Sequence, residues 1–460
     1  MLERLRRGVG VCPTRAPVCY KNPLMPPLSA AYRAAHGEDA APPIPSRWGV
    51  ALVATLVMSV SYIDRQTLAV LGPTVVKGLG LTFEQYGWVL SAFSFAYLIG
   101  APLAGAVLDR TGARRGLVFA VVAWSVVAAG HALVPSFAVL IGMRILLGAA
   151  EAPSFPGCAQ TMKRILPSEE RSVGFGLLFT GSSIGAMIAA PLAIGINRAS
   201  GNWRLAFLGT AAIGLVWIPL WMFVTRSSAV REALATGAVE RSAGDAREGR
   251  PGRPGYALLL TAPVARAVML VVFTAPCIMF GLNWSSHYLT EACGLSQDAL
   301  ARYIWLPPLG FDLGAVLFGA LASRSDKRAR AASSHVGLMA AAAFLALSMA
   351  AMPLVHGPWP ATLLTTSCLA GGGGIYALLT ADMLARVAPS VVSTAGGLTA
   401  AAQSLAYVVA NPLIGRAVDR TQSYALVLVV LGAMVPPAVL AWAAWPVRAR
   451  RREDGPSEPR

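Results

Sequence analysis

Apolar runs of about 20 residues recur from Trp48 to Trp445, separated by short connectors that carry charge or Pro and Gly. A ~30 Å hydrocarbon layer takes ~20 helical residues per crossing, so each run is long enough to span one. The runs lack the alternating pattern of a membrane β-barrel strand, so helices are expected. Only 13% of residues are charged and 55% are hydrophobic, about half the charge of a typical soluble chain. The expected fold class is all-α integral membrane, with about twelve transmembrane helices in two six-helix bundles.

The first bundle is expected over 48–224, with helices at Trp48–Val76, Tyr86–Leu108, Gly116–Val134, Phe137–Met162, Val173–Ile196 and Trp203–Val224. The second, over 257–446, has helices expected at Val264–Tyr288, Leu300–Ala322, Val336–Leu354, Trp359–Leu384, Val391–Arg416 and Tyr424–Trp445. Between them, 225–256 reads as a Gly/Arg/Glu/Ala linker without an apolar face. Residues 1–47 read as a disordered, Pro- and Arg-rich extension with Met25 a candidate alternative start, and 447–460 as a tail. Four glycines, Gly371–Gly374, mark the tenth helix as either a hinge or a close helix contact.

The formal charge of +16 does not point to nucleic acid, because the bases follow topology. They gather in every second connector: Arg110, Arg114 and Arg115; Lys163, Arg164 and Arg171; Arg226 to Arg253; Arg324 to Arg330. Under the positive-inside rule both termini and the linker face the cytoplasm, here of a bacterial-type inner membrane. The six cysteines lack metal-ligand spacing, and no HExxH, GxSxG or GxxxxGK[ST] string is present. Neither enzyme chemistry, a cofactor, a metal nor ATP use is expected.

The halves echo each other. Gly105-Ala-Val-Leu-Asp109-Arg110-Thr111 recurs as Gly415-Arg-Ala-Val-Asp419-Arg420-Thr421, the kind of internal repeat found in transporters with a site at the repeat interface. The connector Gly105-x-x-x-Asp109-Arg110-x-Gly112-x-Arg114-Arg115 adds specific chemistry. Gly105 is expected to admit close helix approach, Gly112 a tight turn, and Asp109 an Arg pair or a helix cap. With this string between spans two and three, the chain resembles the major facilitator superfamily. The resemblance implies that Gly105, Asp109, Arg110, Gly112 and Arg114 latch the halves in one conformational state.

Charges inside spans are costly. Asp64 and Arg65 interrupt the first and Arg144 and Glu151 the fourth, at ~2.5–3.5 kcal/mol each on insertion scales and roughly 10–14 together. They are expected to face a common wet cavity. Arg144 and Glu151 share a helix face but lie ~10 Å apart along it, too far to pair directly. Arg65 and Arg144, at similar depth, suit a carboxylate clamp, and a nearby carboxylic acid suits proton carriage.

The segments Ser61-Tyr62-Ile63-Asp64-Arg65, Gln85 to Ser94 and Arg144 to Pro153 resemble the anion:cation symporter family. Trp305 to Gly314 and Asn411 to Gly415 are similar to its hexuronate/aldonate-type branch. The resemblance implies a proton-coupled importer of a sugar acid working by alternating access. Tyr62, Arg65 and Arg144 would contact substrate, while Asp64 and Glu151 would handle protons. Asn283, Trp284, Tyr376 and Asn411 are further candidates for substrate contact, and Asp312 for proton coupling. One departure is His287-Tyr288-Leu289, where hexuronate-type members carry Lys-Tyr-Leu; His287 reads as a rim residue. The expected partners are a small organic acid, protons and the lipid bilayer, with no nucleic acid and a monomeric carrier. Alternatives are an exporter, a carrier of another carboxylate such as tartrate or an aromatic acid, a drug-efflux protein, or a non-transporting membrane sensor.

Overall fold

The computed structural model describes residues 46–235, 259, 261–329, 335–387 and 392–445. Among these, ten helices are long and apolar enough to cross a membrane. Two more long helices, Arg47–Val70 and Val392–Thr421, complete twelve spans. Their lower apolarity has an identifiable source: Asp64, Arg65 and Gln66 in the first span, and Gln403, Asn411, Arg416 and Asp419 in the eleventh. Spans that tolerate such groups face protein or water rather than lipid.

Prolines stand at three of the breaks within spans. The first continues beyond Leu71 as Gly72–Leu79, with Pro73 in its opening turn, where a missing N–H costs nothing. The fourth divides into Phe137–Glu151 and Ser154–Ile165 around Pro153. The twelfth divides into Ala425–Ala433 and Val435–Ala444, again with Pro at the restart. The seventh comprises Ala262–Asn283 and Ser285–Glu291. The remaining spans are Phe83–Thr111, Ala113–Gly130, Ser168–Ser200, Trp203–Val224, Leu306–Ala329, Val336–Leu347 and Pro358–Arg386.

The four glycines of the tenth span serve packing within one continuous helix. A side chain at Gly371 would strike Ala342 of the ninth span, one at Gly372 would strike Ile278 of the seventh, and those at Gly373 and Gly374 would strike Phe311 and Phe318 of the eighth. Each residue turns the helix by ~100°, so four in a row clear space for three different neighbours.

The linker departs from expectation. Ser228–Ala235 is helical and buries Val230 and Leu234, an i,i+4 pair, against the basic ends of the third and fourth spans. Arg164 donates to the Leu234 carbonyl at 3.1 Å. This stretch therefore does have an apolar face; two residues sufficed because the helix is short. The remaining linker through residue 258, the extension through residue 45, Met25 within it, and the tail from 446 lie outside the described residues.

One buried core runs through the second bundle and continues into the first through Leu68, Tyr86, Val89, Leu140 and Phe207, while a second lies within the first bundle around Val57, Trp124, Leu147 and Trp221. The second span packs on the eleventh, the fifth on the eighth, and the first meets the seventh. One end of the molecule carries the Arg-rich connectors and the other the nearly neutral ones; these are called the basic and neutral ends below.

Candidate functional site

The charges of spans one and four converge inside the first bundle. Arg65 Nε lies 2.6 Å from Glu151 Oε2, and Ser61 Oγ donates to the same oxygen at 2.7 Å. Glu151 is 0% exposed, yet its Oε1 has no hydrogen-bond partner. The Arg65 guanidinium also lies against three rings, 4.9 Å from Tyr62, 4.8 Å from Phe93 and 4.6 Å from Tyr97. Ser61 and Arg65 are four residues apart on one helix, so both reach one carboxylate across the interface.

Arg144 is the contrasting member. It is 3% exposed, and its Nε and Nη1 have no hydrogen-bond partner. Its guanidinium carbon lies 4.9 Å from the Phe93 ring, the ring that also receives Arg65. The two cations are thus gathered around one aromatic side chain. A quadrupolar ring holds such cations weakly, ~0.5–2 kcal/mol apiece, and cannot replace a counter-ion. The arrangement is suited to an arriving carboxylate, which accepts from a guanidinium in bidentate fashion. Asp64, 2% exposed, lacks hydrogen bonds on both oxygens and sits beside Thr210 of the sixth span, within electrostatic reach of Glu151 and Arg144.

From the second bundle, neutral groups approach this site. Tyr407 lies within electrostatic reach of Tyr62, and Tyr376 within reach of Tyr407. Gln403 Nε2 donates to the Tyr407 hydroxyl at 2.9 Å, while the buried Tyr376 hydroxyl has no partner. Phe93, Tyr97 and Tyr407 were not singled out from the sequence. The available signal was spacing: Phe93 and Tyr97, like Gln403 and Tyr407, are i,i+4 pairs that share a helix face.

Other sequence candidates belong to a seam that joins the halves at the neutral end. Trp284 is 0% exposed and donates to Asn411 Oδ1 at 3.0 Å, while Asn411 donates to the Tyr407 carbonyl. The side-chain polar atoms of Trp284 and Asn411, expected to meet substrate, are thus committed within the protein. The Asn283 carbonyl accepts from Tyr86 at 3.2 Å, and Ser183 donates to Asp312 at 2.7 Å between the fifth and eighth spans. His287 is 0% exposed rather than a rim residue, enclosed by Phe83, Tyr86 and Trp284 with both ring nitrogens unpartnered. Burial follows because Gly72 leaves room for its ring. Gln297 bonds the Val70 carbonyl and Thr74, and Ser286 donates to the Ala69 carbonyl.

The repeated motif of the eleventh span closes this seam. Asp419 accepts from the backbone N–H groups of Phe83 at 3.0 Å and Glu84 at 2.7 Å, and Thr82 caps Gln85. A carboxylate there meets orphan donors and the positive helix end together. Arg416 adds a pair with Glu84 at 2.5 Å. Gly87 and Gly415 bring backbones together: a side chain on either would enter the opposing chain at Asn411–Pro412 or at Phe83.

At the basic end the first copy is arranged differently. Gly105 faces open space, as do Gly396 and Gly397 of the eleventh span, so Gly105 is not at a close helix contact in this structure. Gly112 makes the tight turn, with φ of +78°. Arg110 is exposed, Arg114 donates to Thr225 at 3.0 Å, and the Asp109 side chain is outside the described residues.

Comparison with known proteins agrees with this architecture. The family model described as Major Facilitator Superfamily matches residues 54–410. The chain is 31% identical over 283 residues to the galacturonate transporter of Dickeya chrysanthemi, covering 59% of this chain and 80% of that one. It is 27% identical over 390 residues to the hexuronate transporter of Escherichia coli (strain K12), covering 81% and 88%. A solved bacterial homolog of the human lysosomal transporter Spinster, inward-facing and unoccupied, superposes with a TM-score of 0.68 at 17% identity, covering 88% of this chain and 95% of that one.

Proposed function

The chain belongs to the Major Facilitator Superfamily and is a multi-pass membrane transporter, and from that premise we propose that it imports a sugar-acid anion together with protons by alternating access. The observation that carries this reading is the Arg65–Glu151 pair beside unpaired Arg144. Relatives named for galacturonate and hexuronate supply the substrate class.

Glu151 and a substrate carboxylate compete for one guanidinium. While Glu151 is ionised it occupies Arg65. A proton on Glu151 removes that claim, so Arg65 joins Arg144 in holding the incoming carboxylate. Loss of the proton restores the internal pair and expels the substrate. Binding of anion and proton is then linked, because each favours the form that accepts the other. The full site moves without uncompensated charge, whose exposure to a low dielectric is expensive. Asp64, within electrostatic reach of Glu151 and Arg144, is placed as an alternative station for the same proton, Tyr62 lines the same chamber, and Tyr376 meets substrate hydroxyls from the opposite wall.

The neutral end corresponds to the periplasmic face and the basic end to the cytoplasm under the positive-inside rule, in a bacterial-type inner membrane. The sealed neutral end and the open surroundings of Gly105, Gly396 and Gly397 support reading this arrangement as inward-open. Opening outward requires the Asp419 cap to release, while the Gly105–Arg114 motif closes the cytoplasmic side. The test is uptake of galacturonate into proteoliposomes under an imposed pH gradient, acidic outside. Concentrative uptake that collapses when the gradient is dissipated is expected; accumulation indifferent to the gradient would remove proton coupling from the account.

A further inference from the structure

We infer that this carrier selects sugar acids with one carboxylate and discriminates against the corresponding dicarboxylates, because the cations of its chamber lie on one wall only. The inference rests on the sugar-acid reading above. In the first bundle two cations, Arg65 and Arg144, stand beside two acids, Asp64 and Glu151. One proton on Glu151 leaves a single net positive charge, which one substrate carboxylate cancels. The far end of the sugar then reaches Tyr376, Tyr407 and Gln403, neutral groups that exchange hydrogen bonds with hydroxyls.

A second carboxylate at that end would be desolvated without a counter-ion, which is costly in a closed chamber. Among the described residues, the bases of the second bundle are committed or remote. Arg266 and Arg386 both pair with Asp382, and Arg416 pairs with Glu84. Arg302 and Arg420 are exposed near the neutral end, and Arg324 is exposed at the basic end. His287 is walled off by aromatic rings in the seam.

The experiment is counterflow of labelled galacturonate in proteoliposomes holding the full chain, at pH 7, with unlabelled competitors. Glucuronate and gluconate are expected to compete at least tenfold better than galactarate and glucarate. Equal competition by the two classes overturns the selectivity while leaving the sugar-acid reading intact. If neither class competes and galacturonate does not exchange, the sugar-acid reading falls, and this inference with it. Gln403→Lys, which supplies a cation on the neutral wall, is expected to narrow the gap; Tyr376→Lys serves if the first fails to insert. A gap unchanged in a variant that still exchanges galacturonate would place the discrimination elsewhere and overturn the inference.

Discussion

The two bundles share a fold and a repeated motif but treat charge in opposite ways. The first buries an ion pair and an Arg with unpartnered nitrogens near its centre. In the second, Asp382 binds both Arg266 and Arg386 toward the basic end, and Arg266 also lies 4.5 Å from the Trp442 ring. Its middle is given to glycine contacts, neutral aromatic groups and the half-buried Asp312, which accepts from Ser183 of the first bundle. Arg266 is held by a carboxylate, whereas Arg144 has no such hydrogen-bonded partner among the described residues, and a buried cation in that position has a use for an anionic ligand. On the function proposed above, anion and proton chemistry belong to the first bundle and sugar recognition to the second.

The largest expected effect comes from breaking the first bundle's cation pair. Arg144→Leu should reduce galacturonate uptake by at least ~100-fold, the loss of a charge-assisted bidentate contact worth roughly 3 kcal/mol. Its melting temperature should not fall, because the group removed lacks partners; a large fall would make Arg144 structural and erase the contrast. Next, Glu151→Gln frees Arg65 permanently. Exchange of substrate across the membrane should persist while accumulation against a gradient drops to equilibration, and retained accumulation would end the competition scheme.

A third change tests the seam between the bundles. Gly87→Leu drives a side chain into the backbone at Asn411–Pro412. It should hold the neutral end apart, raising labelling of a cysteine placed at Asn283 and lowering uptake about tenfold; unaltered labelling would show that the seam yields without opening. Tyr376→Phe is milder. One neutral hydrogen bond is worth about 1 kcal/mol, so KM should rise about fivefold with Vmax unchanged, and an equal effect on both would argue against a direct substrate contact.

The smallest effect is expected where Arg47 binds Glu170 at 2.8 Å at the basic end. The Arg47 hydrogen bond and charge hold the Glu170 carboxyl below the usual range. A depressed folded pKa contributes stability that is present above the unfolded value and lost as pH falls through the folded one. Glu170→Gln should therefore lower the melting temperature slightly at pH 7 and progressively less as the pH falls through the carboxylate range, and a difference that grows in acid would reverse the sign.

Span number, approximate edges and the split into halves were legible because a membrane imposes them locally: each crossing must be apolar for about 20 residues and satisfy its own backbone. The intramembrane charges were visible for the same reason, since Asp64, Arg65, Arg144 and Glu151 stand out against apolar neighbours. Partner choice was not legible. Glu151 bonds a residue 86 positions away, Trp284 bonds Asn411 across 127, and Asp419 caps a helix that begins 336 positions earlier. Such pairings follow from how the bundles meet, which turned Trp284 and Asn411 from cavity candidates into seam residues and enclosed His287. Sequence determined which groups had to find a polar destination; tertiary structure alone decided which destination, because a polar atom in a low dielectric takes whatever partner packing brings within 3 Å.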